Sequence, residues 1–454
     1  MQKQIINDLT TGSVFKKLFT FALPFMLSVL LQTLYSVVDM IIVGRYVGSS
    51  GLSAVSVSAQ FIWLTTALCM GFTNGGQIII SQLVGAGRRN DLKKAIGTIA
   101  VVVFIVAVFV TIFGLFFTKT ILRTLSTPVE AFDSATAYLT IIFIGTLFTF
   151  GYNLVSSVLR GMGDSKHPLI FVAIAAGVNL VLDLLFIAVF HWGAAGAAVA
   201  TVMGQAVSLI ISVCYLYKKR DAFGFDFKLS SFGIDRVYLK KLMKLGIPFS
   251  LQNSAISISM LFVNKYINEY GVTASATFGT GTRIEQLPWV VVAGFMMACA
   301  TMVAQNMGAG KIDRIKKTVN ITAVISAAAA LIFMAIYYFF PREIYSLFTT
   351  DPEVLDMAPM FMLALVIALP ATTMMCPYQA FIEGIGNATL VMVVALLDGF
   401  VSRIVICLIL ANVFHMGLMG WFLGYGLAAY VNTTICVIYY YSGIWKKRKA
   451  IIVP

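Results

Sequence analysis

The sequence predicts an all-α integral membrane protein: twelve transmembrane helices in two six-helix bundles, related by pseudo-twofold symmetry along the membrane normal. Three observations predict it. Of the 454 residues, 59% are hydrophobic and 11% are charged, against about 25% charged in an ordinary soluble domain. Apolar runs such as 96–117 and 170–190 reach the ~20 residues that a helix needs to cross a bilayer core. These runs are unbroken in apolar character, whereas strands of a barrel would alternate. Third, the two halves of the chain repeat each other at an offset of 223 to 224 residues.

The spans fall at about 17–43, 53–82, 95–118, 134–160, 168–190 and 193–217, then 245–268, 276–306, 317–340, 356–384, 389–412 and 417–443. The longest polar insert, 218–244, divides an amino-terminal lobe, 1–217, from a carboxyl-terminal lobe, 245–454, and serves as a cytoplasmic linker. Four motifs recur in order. Lys16-Lys17-Leu18 with Pro24-Phe25 answers to Lys240-Lys241-Leu242 with Pro248-Phe249. Gln82-Leu83-Val84-Gly85-Ala86-Gly87 answers to Gln305-Asn306-Met307-Gly308-Ala309-Gly310, each followed by basic residues. Arg160-Gly161-Met162-Gly163-Asp164 answers to Glu383-Gly384-Ile385-Gly386-Asn387, and His191-Trp192-Gly193 to His415-Met416-Gly417. Six spans per repeat is an even number, so both repeats enter the membrane the same way round, which leaves a cleft between two bundles.

The net charge of +13 is not a nucleic-acid surface, because 25 of the 32 Lys and Arg fall in the termini and loops on one side of these spans or at the span ends that border them. That skew is the positive-inside pattern, and it predicts a multi-pass protein of the cell membrane with both termini cytoplasmic. Met1 to Phe15 shows no cleavable secretory pattern. The six cysteines lie singly inside apolar runs and read as small packing residues. The repeated glycines end a long helix and free the turn that follows, which the basic cluster anchors.

Enzymatic readings find no support. There is no GxxxxGK[ST] phosphate loop to drive a pump. His167, His191 and His415 all lie near span ends, with no HExxH or metal-ligand cluster. The expectation is a secondary transporter without a cofactor, driven by an ion gradient.

The informative residues are those that a bilayer rejects, since an Asp near a helix centre costs about 2.5 to 3.5 kcal/mol on insertion scales. Asp39 and Asp183 qualify. On the first span Ser28, Gln32, Tyr35, Ser36 and Asp39 follow spacings of three and four, which makes one polar stripe facing a wet cavity. On the fifth span Asn179 and Asp183 are four apart, and Thr201 lies one span later. Two carboxylates, an amide oxygen and a hydroxyl are hard donors suited to an alkali cation such as Na⁺. The same pair could carry protons instead. Each residue also has a plainer role: Asp39 as a helix-end acid paired with Arg45, Asp183 as a buried hydrogen-bond hub, Asn179 and Thr201 as packing polar groups.

Carried across at an offset of 224, Asp39, Asn179, Asp183 and Thr201 land on Val263, Arg403, Cys407 and Tyr425. The scaffold repeats and the acidic set does not. Arg403 could hold a fixed positive charge there, with Asp398 or Glu285 as partner if it is buried. Asp398 is five residues away, about 140° around an α-helix, which makes a direct pair awkward. Glu285 and Arg283 are expected to cap the start of the eighth span, with Glu285 also a cavity candidate. Ser250, Asn253, Ser254 and Ser257 on the seventh span, and Asn74, Gln77 and Ser81 on the second, could line the cleft. Trp289, Phe295, Met296, Met297 and Tyr378 offer adaptable or flat apolar surface for amphiphiles, or simply pack.

At these residues the chain resembles the multidrug and toxin extrusion (MATE) family, within a wider superfamily that includes lipid-linked sugar flippases. The resemblance rests on Leu23-Pro24 through Gln32-Thr33-Leu34-Tyr35 to Val38-Asp39-Met40 and Val43-Gly44-Arg45, with Gln82–Gly87, Leu159–Asp164 and Asn179–Asp183. It implies two lobes in a V, alternating access by rocking, and antiport of cationic or amphiphilic drugs against H⁺ or Na⁺. It implies a cation site at Asp39, Asn179, Asp183 and Thr201, supported by Tyr138 and Asn153 of the fourth helix. The implied partners are the lipid bilayer and small cationic or amphiphilic substrates, with the protein working as a monomer and binding no nucleic acid. Several relatives carry a seventh-helix carboxylate, and Gln252 to Ser257 contains none. The alternative function is a flippase for a lipid-linked sugar or related lipid precursor. That role calls for several cavity arginines to hold pyrophosphate, whereas Arg403 is the one clear intramembrane arginine.

Overall fold

The computed structural model describes residues 7–125, 127–220 and 224–452, without side chains at 49, 50, 60 and 253–258. Long helices follow one another: α1 (Val14–Tyr46), α2 (Ser49–Gly85), α3 (Arg89–Thr124), α4 (Val129–Gly161), α5 (Lys166–Val189) and α6 (Gly193–Lys218). They continue with α7 (Arg236–Asn268), α8 (Val272–Gly308), α9 (Ile312–Phe339), α10 (Pro352–Gly384), α11 (Ala388–Val413) and α12 (Gly417–Ser442). Eleven of the described helices are long and apolar enough to cross a bilayer. The twelfth, α7, is 33 residues long and covers the predicted seventh span. No strand occurs among the described residues. Intrahelical bonds therefore satisfy the backbone within each span, as hydrocarbon demands.

The repeated sequence motifs are repeated turns. Beyond α2, Gly87 has φ +69°, and beyond α8, Gly310 has φ +68°. A Cβ at either position would meet nothing within 4 Å, so the left-handed backbone, not space, selects glycine there. The two His-x-Gly motifs also match in conformation, with φ of 57° at His191 and 53° at His415.

Packing divides the chain into two compact units, each discontinuous in sequence. The first joins Asn7 and Asp8 to Leu27–Ser250, and the second joins Leu9–Met26 to the chain from Leu251 onward. The sequence repeats part at 218–244, but the packing units exchange the leading turns of α1 and α7.

In the first unit, Val43, Ala54, Leu122, Leu139, Phe143, Ile187 and Ala197 form the buried centre. The leading turns of α7 rest on α2 where both chains are small: a Cβ on Gly71 would lie 1.9 Å from Ser250 Oγ. The segment 224–235 folds back onto α3. Lys93 Nζ donates to Asp226 Oδ2 at 2.8 Å, the Asp235 N–H donates to Thr98 Oγ1 at 2.9 Å, and a Cβ on Gly97 would meet the Ser231 carbonyl oxygen at 2.0 Å. The hydrogen bond from Lys93, with a second from the Ser231 hydroxyl, holds the Asp226 carboxyl well below the usual carboxylate range.

In the second unit, Leu18, Phe21 and Phe25 of α1 pack against Phe295, Ala298 and Met302 of α8. The basic cluster after Gly310 has a defined task there. Arg314 donates to the carbonyls of Leu9, Thr11 and Gly12, and Lys311 donates to that of Thr10. The larger core gathers Val263, Phe278, Ile284, Phe361, Cys407 and Phe422.

Candidate cation site

Three helices of the first unit deliver the polar set. The stripe on α1 ends at Asp39, which is half-buried. α5 is α-helical through Asp183 and then widens into a π segment, Leu184–Val189. Such widened turns recur at functional sites because they re-aim a side chain out of α-helical register. Asn179 and Asp183 are 4% and 1% exposed, although each carries polar atoms that hydrocarbon cannot satisfy.

The structure brings the expected residues together. The Asp39 and Asp183 carboxyl groups lie within electrostatic reach of each other, and Asn179 lies beside Asp183. Asn179 Nδ2 reaches Thr201 Oγ1 on α6 at 3.5 Å. Asp39 Oδ1 and both Asp183 oxygens are buried and receive no hydrogen bond among the described residues. Arg45 makes no ion pair with Asp39 among the described residues. The plain reading of Asp39 as a helix-end acid neutralised by Arg45 therefore does not hold. Asp183 is no donor-saturated hub either.

Aromatic hydroxyls complete the surroundings. Tyr35 and the buried Tyr138 of α4 both lie within electrostatic reach of Asp39 and Asp183. Tyr152, which the sequence reading missed, stands near Tyr35 from the same helix as Tyr138. Its signal was its spacing, since 14 residues is about four α-helical turns and returns a side chain to the same face. Asn153 instead turns its amide to its own helix, donating from Nδ2 to the Thr149 carbonyl at 2.8 Å. Gln32 is exposed, one turn before Tyr35 on the stripe.

The second unit differs in kind. Arg403 Nη2 donates to Asp398 Oδ2 at 3.1 Å, so the direct pair that α-helical geometry made awkward is formed. The reason is the π segment Leu397–Ser402, whose i to i+5 bonding brings residues five apart onto one face. Arg403 Nη1 approaches Met260 Sδ at 3.3 Å, and its guanidinium stands 5.1 Å from the Tyr425 ring centre. Tyr425 Oη donates to Glu285 Oε2 at 2.7 Å. Glu285 is thus no cap: α8 starts at Val272, more than three turns earlier.

The other cavity candidates scatter. Trp289 is 41% exposed, Met296 packs on Val292, Ala329 and Cys376, and Tyr378 is buried edge-on to Tyr440. The side chains of Asn253 and Ser257 lie outside the described residues.

Comparison with known proteins agrees with this architecture. The MatE family model matches residues 24–185 and again 248–409, once in each repeat. The probable multidrug resistance protein YpnP of Bacillus subtilis is 28% identical over 446 residues, covering 97% of this chain and 98% of that one. A MOP superfamily transporter from Pyrococcus furiosus, for which a binding pocket of reverse polarity has suggested a different function, superimposes with a TM-score of 0.91 at 24% identity. That match covers 98% of this chain and 99% of the other. A multidrug resistance MATE transporter in an outward-facing conformation gives a TM-score of 0.90 at 24% identity, with 97% of each chain covered.

Proposed function

The chain belongs to the MatE family of multi-pass membrane transporters, not enzymes, and from that premise we propose that it is a secondary antiporter exporting cationic or amphiphilic drugs and toxins in exchange for H⁺ or Na⁺. The multidrug resistance names of its relatives support the substrate class. The two lobes, 1–217 and 245–454, are joined by the linker 218–244, with both termini cytoplasmic.

One observation carries the coupling: the buried oxygens of Asp39 and Asp183 face each other without a donor. Two carboxylates ~4 Å apart repel by about 4 kcal/mol at an effective dielectric of ~20. A single positive particle between them reverses the sign of that interaction. The donors fit either candidate. Na⁺ would find hard oxygens at Asp39, Asp183, Asn179 and Thr201, and a proton would be shared by the two carboxyl groups. Tyr35 and Tyr138 shape the wall around the pair.

A lobe whose acids carry −2 and one whose acids carry a bound cation do not favour the same conformation. Cation binding shifts the protein between inward-open and outward-open states to the extent that its affinity differs between them. The drug leaves on the state that the incoming ion selects. The flippase reading loses ground at Arg403, whose guanidinium is engaged by Asp398 and not free for a pyrophosphate.

Purified protein in liposomes, given an imposed ΔpH or ΔpNa and an ethidium-like cation, tests the proposal. Uptake driven by one gradient alone names the ion. Uptake that ignores both gradients removes the antiporter.

A further inference from the structure

The buried charges of the second unit are arranged around one guanidinium. Asp398 is 4% exposed and Arg403 8%, both on α11. The groups facing Arg403 come from every neighbour: Asp398 and Cys407 on its own helix, Tyr425 from α12, Met260 from α7 and Glu285 from α8. Tyr337 of α9 closes the Glu285 side, donating to the Ile284 carbonyl at 2.7 Å. Asp398 Oδ1 and Arg403 Nε are buried without a hydrogen-bond partner among the described residues.

The charge pattern parallels that of the first unit. There, two carboxylates with orphaned oxygens surround a place for one positive particle. Here, two carboxylates, Asp398 and Glu285, surround one positive group that is covalently attached. By the repeat, Arg403 occupies the position of Asn179, and Tyr425 that of Thr201. An ordinary structural ion pair explains the bond to Asp398. It does not explain why the guanidinium stands at that repeat position, over an aromatic ring whose hydroxyl holds a second acid.

We infer that Arg403 is the resident cation of the second unit, a tethered positive charge that takes the place of a mobile ion and so confines ion coupling to Asp39 and Asp183. This rests on the reading of those two acids as the coupling site. Arg403 is a positioning and specificity-determining residue: it leaves Asp398 and Glu285 no affinity to spare for Na⁺.

The test silences the first site with Asp39→Asn and Asp183→Asn, then follows the unfolding temperature against NaCl and against millimolar guanidinium, with ionic strength held by choline chloride. With Arg403 intact, no saturable shift is expected. Adding Arg403→Ala should lower the unfolding temperature and create a saturable rescue by guanidinium, and that rescue should vanish when Glu285→Gln and Asp398→Asn are added. If the alanine variant does not fold, Arg403→Lys decides: a tethered ammonium keeps the parent's indifference to Na⁺, and a Na⁺ response there overturns the inference. A saturable Na⁺ shift with Arg403 intact, removed by Glu285→Gln, overturns it too, as does an alanine variant that folds and answers to no cation. Undiminished drug exchange in the Asp39→Asn and Asp183→Asn variants overturns instead the assignment of the first site.

Discussion

Asp183→Asn removes one negative charge and keeps the volume of the side chain. A cation ~4 Å from that carboxylate gains about 4 kcal/mol from it at an effective dielectric of ~20. At about 1.4 kcal/mol per tenfold, the substitution should weaken cation binding by roughly a thousandfold. Asp183 is 1% exposed and its oxygens have no donor to lose, so folding should not suffer. Removing a repulsion with Asp39 should leave thermal stability unchanged or higher. The assay is drug-driven proton or sodium exchange in everted vesicles, with the unfolding temperature measured on the same preparations. Asp39→Asn should behave the same way. Exchange at the wild-type rate in both variants would refute the reasoning, and so would a severe loss of stability in either, because the carboxylates would then be holding the fold together.

Further outcomes follow from the same geometry. Asn179→Ala removes the amide oxygen proposed to ligate the cation beside Asp183, and a polar contact to a charged group is worth about 1.5–3 kcal/mol. Cation affinity should fall about 10- to 100-fold by titration, with drug affinity unchanged in the absence of a gradient. Gly71→Val drives a side chain into Ser250 Oγ and its backbone, and overpacking of about 1–3 kcal/mol should appear as a lower unfolding temperature. The Lys93–Asp226 contact has a pH signature. Because the folded carboxyl lies below its unfolded value of ~3.9, its contribution is fully present above that pH and fades only as pH falls beneath it. Hydrogen exchange in 224–235 should therefore be flat, once corrected for intrinsic rates, from neutral pH down to about 4, and Asp226→Ala should raise it throughout. A protected segment in the alanine variant would show that Thr98 and Gly97 suffice to hold it.

Much of the fold was legible because hydrocarbon imposes few solutions. Unbroken apolar runs fixed the spans, and the recurring glycines fixed the turns, since only a left-handed backbone explains Gly87 and Gly310 in open space. Asp39 and Asp183 stood out because a bilayer tolerates such groups only for a reason. What was hidden depends on helical register. The π segments at Leu184–Val189 and Leu397–Ser402 arise from i to i+5 bonding that no side chain announces, so the Asp398–Arg403 pair was invisible to α-helical arithmetic. Hidden too was the packing of Leu9–Met26 with the second unit. The lysines and arginines beyond Gly310 looked like a topology signal, yet Arg314 and Lys311 bind particular carbonyls of that segment. A loop charge reports its side of the membrane, but its hydrogen-bond partner is set by packing far along the chain.

The most direct measurement is a titration of purified protein with Na⁺ and with protons in detergent, counting particles bound per chain in the wild type and in the Asp39→Asn/Asp183→Asn double variant. The wild type should take up one saturable cation or one proton between the two carboxylates, and the double variant should take up neither. Full uptake by the double variant would contradict the account, because the positive particle would then reside elsewhere.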